Sequence, residues 1–190
     1  MSLEPVQLVG GTGSPYTQKM VALLRYRRIH YAITWGQPET RCEALGVEAP
    51  KPTFMPTFFF EEGGELTAHC DSTPIIRRLE VDHVGRSVLP DDPALAFIDY
   101  LIEDFADEWV TKIMYHYRWT YDPDIEKAGK LLPLDQNLQL ADTAHAKAHD
   151  FIIDRQIGRR AMVGSTEANT HILENSYTNV LDILERHFQT

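Results

Sequence analysis

The run Val6–Met20 constrains the fold of this chain more than any other stretch. Val6–Val9 is a short apolar segment that predicts a buried β-strand, and a glycine-rich turn then leads into a helix start. Ser14 stands at the expected N-cap and Pro15 at the first helical position. The run therefore predicts an α/β unit with a hydroxyl at a helix N-terminus, where backbone N–H groups and the helix dipole favour an anion.

Ser14 and Thr17 occupy the two positions of this helix start that hold cysteines in the Cys-Pro-Tyr-Cys site of dithiol redox proteins. A serine and a threonine cannot form a disulfide, so the site lacks dithiol exchange. The hydroxyl that remains suits the binding of another molecule's thiolate. The structural alternative is that Ser14 only caps the helix.

Strand and helix patterns alternate over the first eighty residues. The pattern predicts strands at Val6–Val9, Tyr31–Trp35, Thr57–Phe60 and Glu65–Ala68, helices at Pro15–Arg28 and Ser72–Val81, and an ambiguous, irregular helix over Gln37–Ala49. Glycines after Glu62 predict a hairpin between the last two strands. A single sheet covered by helices is the economical packing of these elements.

The second half shows helical periodicity and no convincing strand. Asp82–Asp92 predicts a linker, and three helices are expected, at Ala94–Trp119, Leu138–Ile157 and Thr170–Phe188. We therefore expect an α/β domain over residues 1–82, followed by an all-α helical bundle over residues 93–190.

Charge and cysteine usage narrow the function classes. A net charge of −10 argues against nucleic acid or an anionic membrane surface as the main partner. Two groups of basic residues occur within this acidic chain, and both are interpreted as solvated helix faces: Arg25, Arg27 and Arg28, and Arg155, Arg159 and Arg160.

Cys42 and Cys70 lie far apart and are expected to be free thiols in a reducing compartment. Met1–Pro5 lacks a signal-peptide pattern, so a cytoplasmic location is expected.

Three motifs, taken in order, carry a family resemblance: Ser14-Pro15-Tyr16 with Lys19, Met55-Pro56-Thr57, and Asp71-Ser72. Their order and spacing resemble the thioredoxin-like amino-terminal domain of the glutathione transferase superfamily. That domain is followed in the family by an all-helical domain, as expected here. The resemblance is specific over Pro5–Val81 and looser over Pro93–Thr190. Members usually continue for further helices, so the resemblance implies that the helical domain is incomplete or unusually short.

The resemblance implies that Ser14 faces the sulfur of bound glutathione. A hydroxyl that donates a hydrogen bond, together with the helix N-terminus, stabilises a thiolate and lowers the thiol pKa from about 8.5. Tyr16 is the alternative partner of the sulfur. Pro56 matches the family's cis-proline, which implies that Met55 offers its N–H and C=O to an extended peptide. A trans proline that merely ends the preceding loop is the structural alternative.

Asp71 and Ser72 match the pair that grips the γ-glutamyl end of glutathione. In that arrangement the helix start receives the carboxylate, and Asp71 pairs with the ammonium group. The alternative is a simple helix cap. Lys51 lies where some members anchor the glycyl carboxylate, although the surrounding prolines blur that alignment.

In the family, an apolar electrophile binds against the first long helix of the second domain. Tyr115 and Trp119 stand at the end of that predicted helix and are the candidate lining residues, with a role as ordinary core and surface aromatics as the alternative. The resemblance also implies a homodimer. His145 and His149 are four apart on a predicted helix, but no third ligand completes a metal site, so no metal is expected.

These observations predict a glutathione transferase-like protein, with glutathione as co-substrate and Ser14 as the thiol-activating residue. The second hypothesis is a non-catalytic module of the same fold that serves for interaction or ligand carriage, since fold does not fix function. A glutathione-dependent oxidoreductase is disfavoured because no cysteine occupies the helix start.

Overall fold

The structure of this protein, a computed structural model, describes residues 5–189. The chain divides into two compact units. One unit holds the residues up to Pro93 together with Leu134–Leu140, and the other holds Ala94–Pro133 and the residues from Ala141 onward. The domain ranges 1–82 and 93–190 stay predictions.

The first unit is built on a four-stranded mixed sheet. Its strands are β1 (Val6–Gly10), β2 (Tyr31–Trp35), β3 (Thr57–Glu62) and β4 (Glu65–His69), in the spatial order β2-β1-β3-β4. β1 pairs in parallel with β2 and antiparallel with β3, and β4 is antiparallel to β3. This arrangement confirms the expected thioredoxin-like class. The β3–β4 turn uses two glycines with φ of 62° and 87°, the conformation that this hairpin turn requires.

Three helices complete the first unit: α1 (Pro15–Arg27), α2 (Pro38–Leu45) and α3 (Ser72–Asp82). α2 is a regular helix of eight residues within the range that the sequence left ambiguous, and Gly46 ends it with a φ of 67°. α1 begins immediately after Ser14, as the cap pattern predicts.

The core of this unit joins the sheet to α1 and α3. Its cluster of buried side chains is Val6, Leu8, Met20, Leu24, Ile29, Phe58, Phe60, Ile75, Ile76 and Leu79. Full burial of one such side chain stabilises the fold by about 1.5–3 kcal/mol. This packing fixes the ends of β1, β3 and α3, and hence the loops that follow or precede them.

Arg27 corrects the interpretation of its cluster as a solvated helix face. Its side chain is 1% exposed, and Nη1 lies 3.2 Å from Oε1 of Glu80. Nη2 donates to the His83 carbonyl at 2.6 Å. Arg27 follows Leu24 by three residues on the buried side of α1, which carries it inward despite its charge. The burial is possible because a carboxylate and carbonyl groups surround the guanidinium.

The second unit is helical. Its elements are α4 (Pro93–Phe105), a π-helical segment (Ala106–Val110), α5 (Thr111–Thr120), α6 (Asp122–Gln136), α7 (Asp142–Ile157), two short 3₁₀ segments (Arg160–Val163 and Glu167–Asn169) and α8 (Thr170–Phe188). The end of α6 belongs with the first unit. The sequence pattern missed α6, which contains Pro133 near its end.

The predicted helix Leu138–Ile157 begins later than expected, at Asp142. The Asn137 side chain accepts a hydrogen bond from the Gln139 N–H at 2.8 Å, which favours a turn over a helix there. None of the helices within residues 5–189 combines the length and apolar content needed to cross a bilayer.

Candidate functional site

Ser14 both caps α1 and contacts the loop before β3. Its Oγ accepts a hydrogen bond from the Thr17 N–H at 3.2 Å, the bond expected of an N-cap. The same hydroxyl donates to the Met55 carbonyl at 3.4 Å. Ser14 is half-buried, so its hydroxyl is held by two elements while keeping access to solvent.

The Met55–Pro56 peptide bond is cis, which confirms that part of the prediction. Lys51–Pro52 is also cis, and nothing in the sequence analysis anticipated it. Pro56 is buried and Met55 is half-buried, directly before β3. The predicted hydroxyl and the predicted proline segment are therefore in direct contact, because the Met55 carbonyl is the acceptor for Ser14.

Asp71 and Ser72 form the start of α3. Asp71 is an exposed N-cap with φ of 81°, and its carboxylate accepts from the Thr73 N–H at 3.4 Å. Ser72 is only 5% exposed, and its hydroxyl accepts from Lys19 Nζ at 3.0 Å. The α1 lysine of the first motif therefore holds the start of α3 in place.

These two helix starts are linked through α1. Lys19 follows Ser14 by five residues, a helical rise of about 7.5 Å. The Lys19–Ser72 hydrogen bond thus connects α1, which begins at Ser14, to the start of α3, and each helix start favours an anion.

The other two predicted binding residues of the first unit are Tyr16 and Lys51. Tyr16 is half-buried in the first turn of α1. The Lys51 side chain is 84% exposed and pairs with Glu48 at 2.8 Å. That hydrogen bond raises the pKa of Lys51 and lowers the pKa of Glu48. To bind a ligand carboxylate, Lys51 would have to release Glu48 and pair with the ligand instead.

Tyr115 and Trp119 lie on α5 in the second unit. The Tyr115 hydroxyl donates to the Gln156 carbonyl at 2.8 Å, and burial raises the pKa of Tyr115. Trp119 is 1% exposed and belongs to the core of that unit. The observed packing of Trp119 is that of the structural alternative, since a side chain this buried offers no surface to a ligand.

Asp135 is a contact residue of the helix start that the sequence analysis missed. Its carboxylate accepts a hydrogen bond from the Thr12 hydroxyl through Oδ1, and from the Gly13 N–H at 2.6 Å through Oδ2. Asp135 lies at the end of α6, in the segment that clusters with the first unit. The separation in sequence is 122 residues from Gly13, so no local pattern could have found this contact.

The absence of a side chain at Gly11 lets the Met55 and Asp135 side chains lie close to the turn before Ser14. A Cβ at position 11 would lie 3.3 Å from Met55 Sδ and 3.6 Å from Asp135 Oδ2. The first distance is tighter than most real Cβ contacts. The turn before Ser14 is therefore packed between the Met55 side chain and the Asp135 carboxylate.

Among the residues that the structure describes, the cysteines and histidines outside this site form no metal centre or activated thiol. Burial, with a smaller contribution from Glu39, raises the pKa of the Cys42 thiol, which makes it a poor nucleophile. His149 Nε2 lies 3.3 Å from Glu126, and His145 Nε2 donates to the Lys130 carbonyl. Across residues 5–189, no three side chains from His, Cys, Asp or Glu come together as metal ligands.

Comparison with known proteins agrees with the motifs. Residues 13–81 match the family described as "Glutathione S-transferase, N-terminal domain". The segment contains Ser14, Pro56 and Asp71-Ser72. This stretch of the chain is therefore similar to the glutathione S-transferase N-terminal domain.

Two solved structures are similar over most of the chain. One is a glutathione transferase family member from Pseudomonas fluorescens Pf-5 with bound glutathione; it is 18% identical, with 81% of this chain and 69% of that chain covered and a TM-score of 0.44. The other is glutathione transferase GSTFuA3 from Phanerochaete chrysosporium; it is 15% identical, with 83% and 71% covered and a TM-score of 0.43. No curated protein matches the sequence.

Proposed function

We propose that this protein binds glutathione on its amino-terminal unit and activates the thiol for attack on an electrophilic small molecule. One observation carries the proposal: the Ser14 hydroxyl stands at the N-terminus of α1 and contacts the Met55 carbonyl. The match of residues 13–81 to the glutathione S-transferase N-terminal domain supports glutathione as the ligand.

The chemistry follows from the position of Ser14. Its 3.4 Å bond to Met55 is long, so little is lost when the hydroxyl turns to donate to a sulfur. The hydroxyl and the N-terminus of α1 favour the thiolate, and the thiol proton leaves to solvent. The sulfur then bonds to an electrophilic carbon, which releases a leaving group; in a conjugate addition the electron pair instead moves to the adjacent carbon, which takes up a proton from solvent.

Recognition of the peptide is assigned to the start of α3. Asp71 pairs with the γ-glutamyl ammonium group, and the backbone N–H groups with Ser72 receive the carboxylate. Met55 pairs with the peptide backbone, while Tyr16 and Lys51 are secondary contacts. The full proposal includes a homodimer, a cytoplasmic location and an apolar electrophile, for which Tyr115 stays the candidate contact and the buried Trp119 does not.

Calorimetric titration of glutathione tests the binding step. Asp71→Asn removes the charge but retains an oxygen for the Thr73 N–H, and asparagine tolerates the positive φ at this position. We expect binding by the wild type and at least tenfold weaker binding by Asp71→Asn. A glutathione analogue that lacks the amino group is the matched control, and it should bind both proteins equally. Equal glutathione affinity in both proteins would remove Asp71 from the site.

Ultraviolet absorbance of bound thiolate tests the activation step. Ser14→Ala should raise the pKa of the bound thiol by about one unit, since one hydrogen bond to the thiolate is lost. Ser14→Thr keeps a hydroxyl and is the control. An unchanged thiol pKa in Ser14→Ala would show that Ser14 does not activate the sulfur.

The second candidate function is a non-catalytic module for interaction or ligand carriage. The observation that favours it is α4, where apolar side chains are 48–62% exposed: Leu95, Phe97, Ile98, Leu101 and Ile102. A folded protein that binds no glutathione but associates with itself or another protein through α4 would favour this candidate. Thiol labelling during turnover separates both from a dithiol mechanism at Cys42 or Cys70.

A further inference from the structure

The turn before Ser14 already holds an anion that belongs to the chain itself. The Asp135 carboxylate accepts from the Thr12 hydroxyl and from the Gly13 N–H at 2.6 Å. Gly13 directly precedes the N-cap of α1. Such contacts to a hydroxyl and a backbone N–H beside a helix N-terminus are those that a bound anion would make.

We propose that the Asp135 carboxylate is an internal anion that offsets the positive potential at the start of α1, so that this site holds less thiolate than Ser14 and the helix alone would hold. The inference rests on the proposed function. In this account the charge of Asp135 limits how strongly the proposed site stabilises a thiolate. Any change that removes or neutralises this carboxylate therefore makes the site a stronger activator of the thiol.

Distance supports an effect of useful size. Adjacent Cα atoms are about 3.8 Å apart, which puts a group bonded to Gly13 within roughly 8 Å of the Ser14 hydroxyl. Two charges at this separation near a protein surface shift a pKa by about one unit, after allowance for partial screening at a Debye length of about 8 Å. The helix N-terminus itself carries only about half a positive charge, so a full negative charge beside it substantially lowers the positive potential at the start of α1.

Other charged groups of the first unit also act on this potential. Lys19 on α1 favours a thiolate, and the exposed Asp71 at the start of α3 opposes it. Lys51 and Glu48 pair with each other at the surface and largely cancel. All four remain in place in the variants below, so a difference between variants reports the charge at position 135.

Three variants separate the charge of Asp135 from its hydrogen bonds. Asp135→Asn removes the charge but keeps both contacts, because its amide oxygen accepts from Gly13 and its amide nitrogen donates to the rotatable Thr12 hydroxyl. Asp135→Ala removes the charge and both contacts. Asp142→Asn neutralises an exposed aspartate at the first position of α7, in the second unit, and serves as the matched control.

A reporter thiol measures the potential without any ligand. In a Ser14→Cys background, the pH dependence of iodoacetamide labelling, resolved by peptide to exclude Cys42 and Cys70, gives the pKa of the introduced thiol. We expect Asp135→Asn to lower that pKa by about one unit and Asp142→Asn to leave it unchanged. An unchanged pKa in Asp135→Asn, or a change confined to Asp135→Ala, overturns the inference.

The same variants with Ser14 intact are then titrated with glutathione. The expected result is that Asp135→Asn binds glutathione and lowers the pKa of the bound thiol, with about a tenfold gain in the thiolate-to-thiol ratio. A reporter shift without glutathione binding by the wild type overturns the proposed function while supporting the electrostatic assignment. Glutathione binding with no change in either pKa overturns the inference alone.

Discussion

The two units of this protein bury their apolar side chains to different extents. In the first unit Phe58 and Leu24 are fully buried between the sheet and its helices. In the second unit α4 has no buried residue, and Phe97 and Ile102 are each 62% exposed. The candidate glutathione site thus rests on elements that a packed core holds in place, whereas α4 owes little of its stability to packing within its own unit.

The interior of the second unit combines buried apolar side chains, such as Ile113, Trp119 and Leu173, with polar contacts. His116 is fully buried, and its Nδ1 lies 2.8 Å from the Ser165 hydroxyl, which also accepts from Arg160 Nε at 3.2 Å. Its Nε2 lies 3.6 Å from Glu174, beyond hydrogen-bond distance. Buried polar groups specify one arrangement when they are satisfied and destabilise the fold when a partner is removed.

The largest expected effect on stability comes from comparing the buried core of the first unit with the exposed apolar side chains of α4. Phe58→Ala should destabilise the first unit by about 3–5 kcal/mol, because it opens a cavity in the core. Phe97→Ala on α4 should cost less than about 1 kcal/mol, since most of that side chain is already exposed. Hydrogen exchange resolved by peptide reports each unit separately. Similar losses in both variants would remove the contrast between the units.

The next effect concerns the buried charge of the first unit. Glu80→Ala leaves the Arg27 guanidinium buried without its carboxylate and should cost about 3 kcal/mol. Glu62→Ala removes the partner of Arg78 from an exposed pair and should change stability little. Denaturant unfolding of both variants measures the difference. A Glu80→Ala protein as stable as Glu62→Ala would mean that Arg27 reaches solvent.

A third effect tests the polar interior of the second unit. Ser165→Ala removes a partner of the buried His116 and should cost about 1–3 kcal/mol. Thr178→Ala removes an exposed hydroxyl that bonds within α8 and is the control. The protection of α5 amides should fall only in the first variant. Unchanged protection in Ser165→Ala would show that this hydrogen bond contributes nothing.

The smallest effect is a dependence on pH. The hydrogen bond to Asp150 and the charge of Glu126 raise the pKa of His149 in the folded state. The stability that this contributes is therefore complete below the unfolded value of about 6.5 and is lost as pH rises through the folded value. Asp150→Asn should lower Tm more at pH 6 than at pH 9. An equal loss at both values would refute the linkage.

Local patterns in the sequence predicted most of the first unit. The strand, turn and capped start of α1 follow from residues adjacent in the chain, and so does the start of α3 at Asp71 and Ser72. What could not be predicted depends on distant parts of the chain. Asp135 contacts Gly13 across a sequence separation of 122 residues, and the inward position of Arg27 depends on Glu80 and the His83 carbonyl. α6 was missed because prolines at positions 123 and 133 obscure its pattern.

Nuclear magnetic resonance titration of ¹⁵N-labelled protein with glutathione tests the central claim most directly. The account predicts saturable shifts of the backbone amides of Gly13, Ser14, Tyr16, Thr17, Met55 and residues 72–73, with one common dissociation constant. Shifts confined to residues 94–133 and 141–189, or no saturable shift in the folded protein, would contradict it.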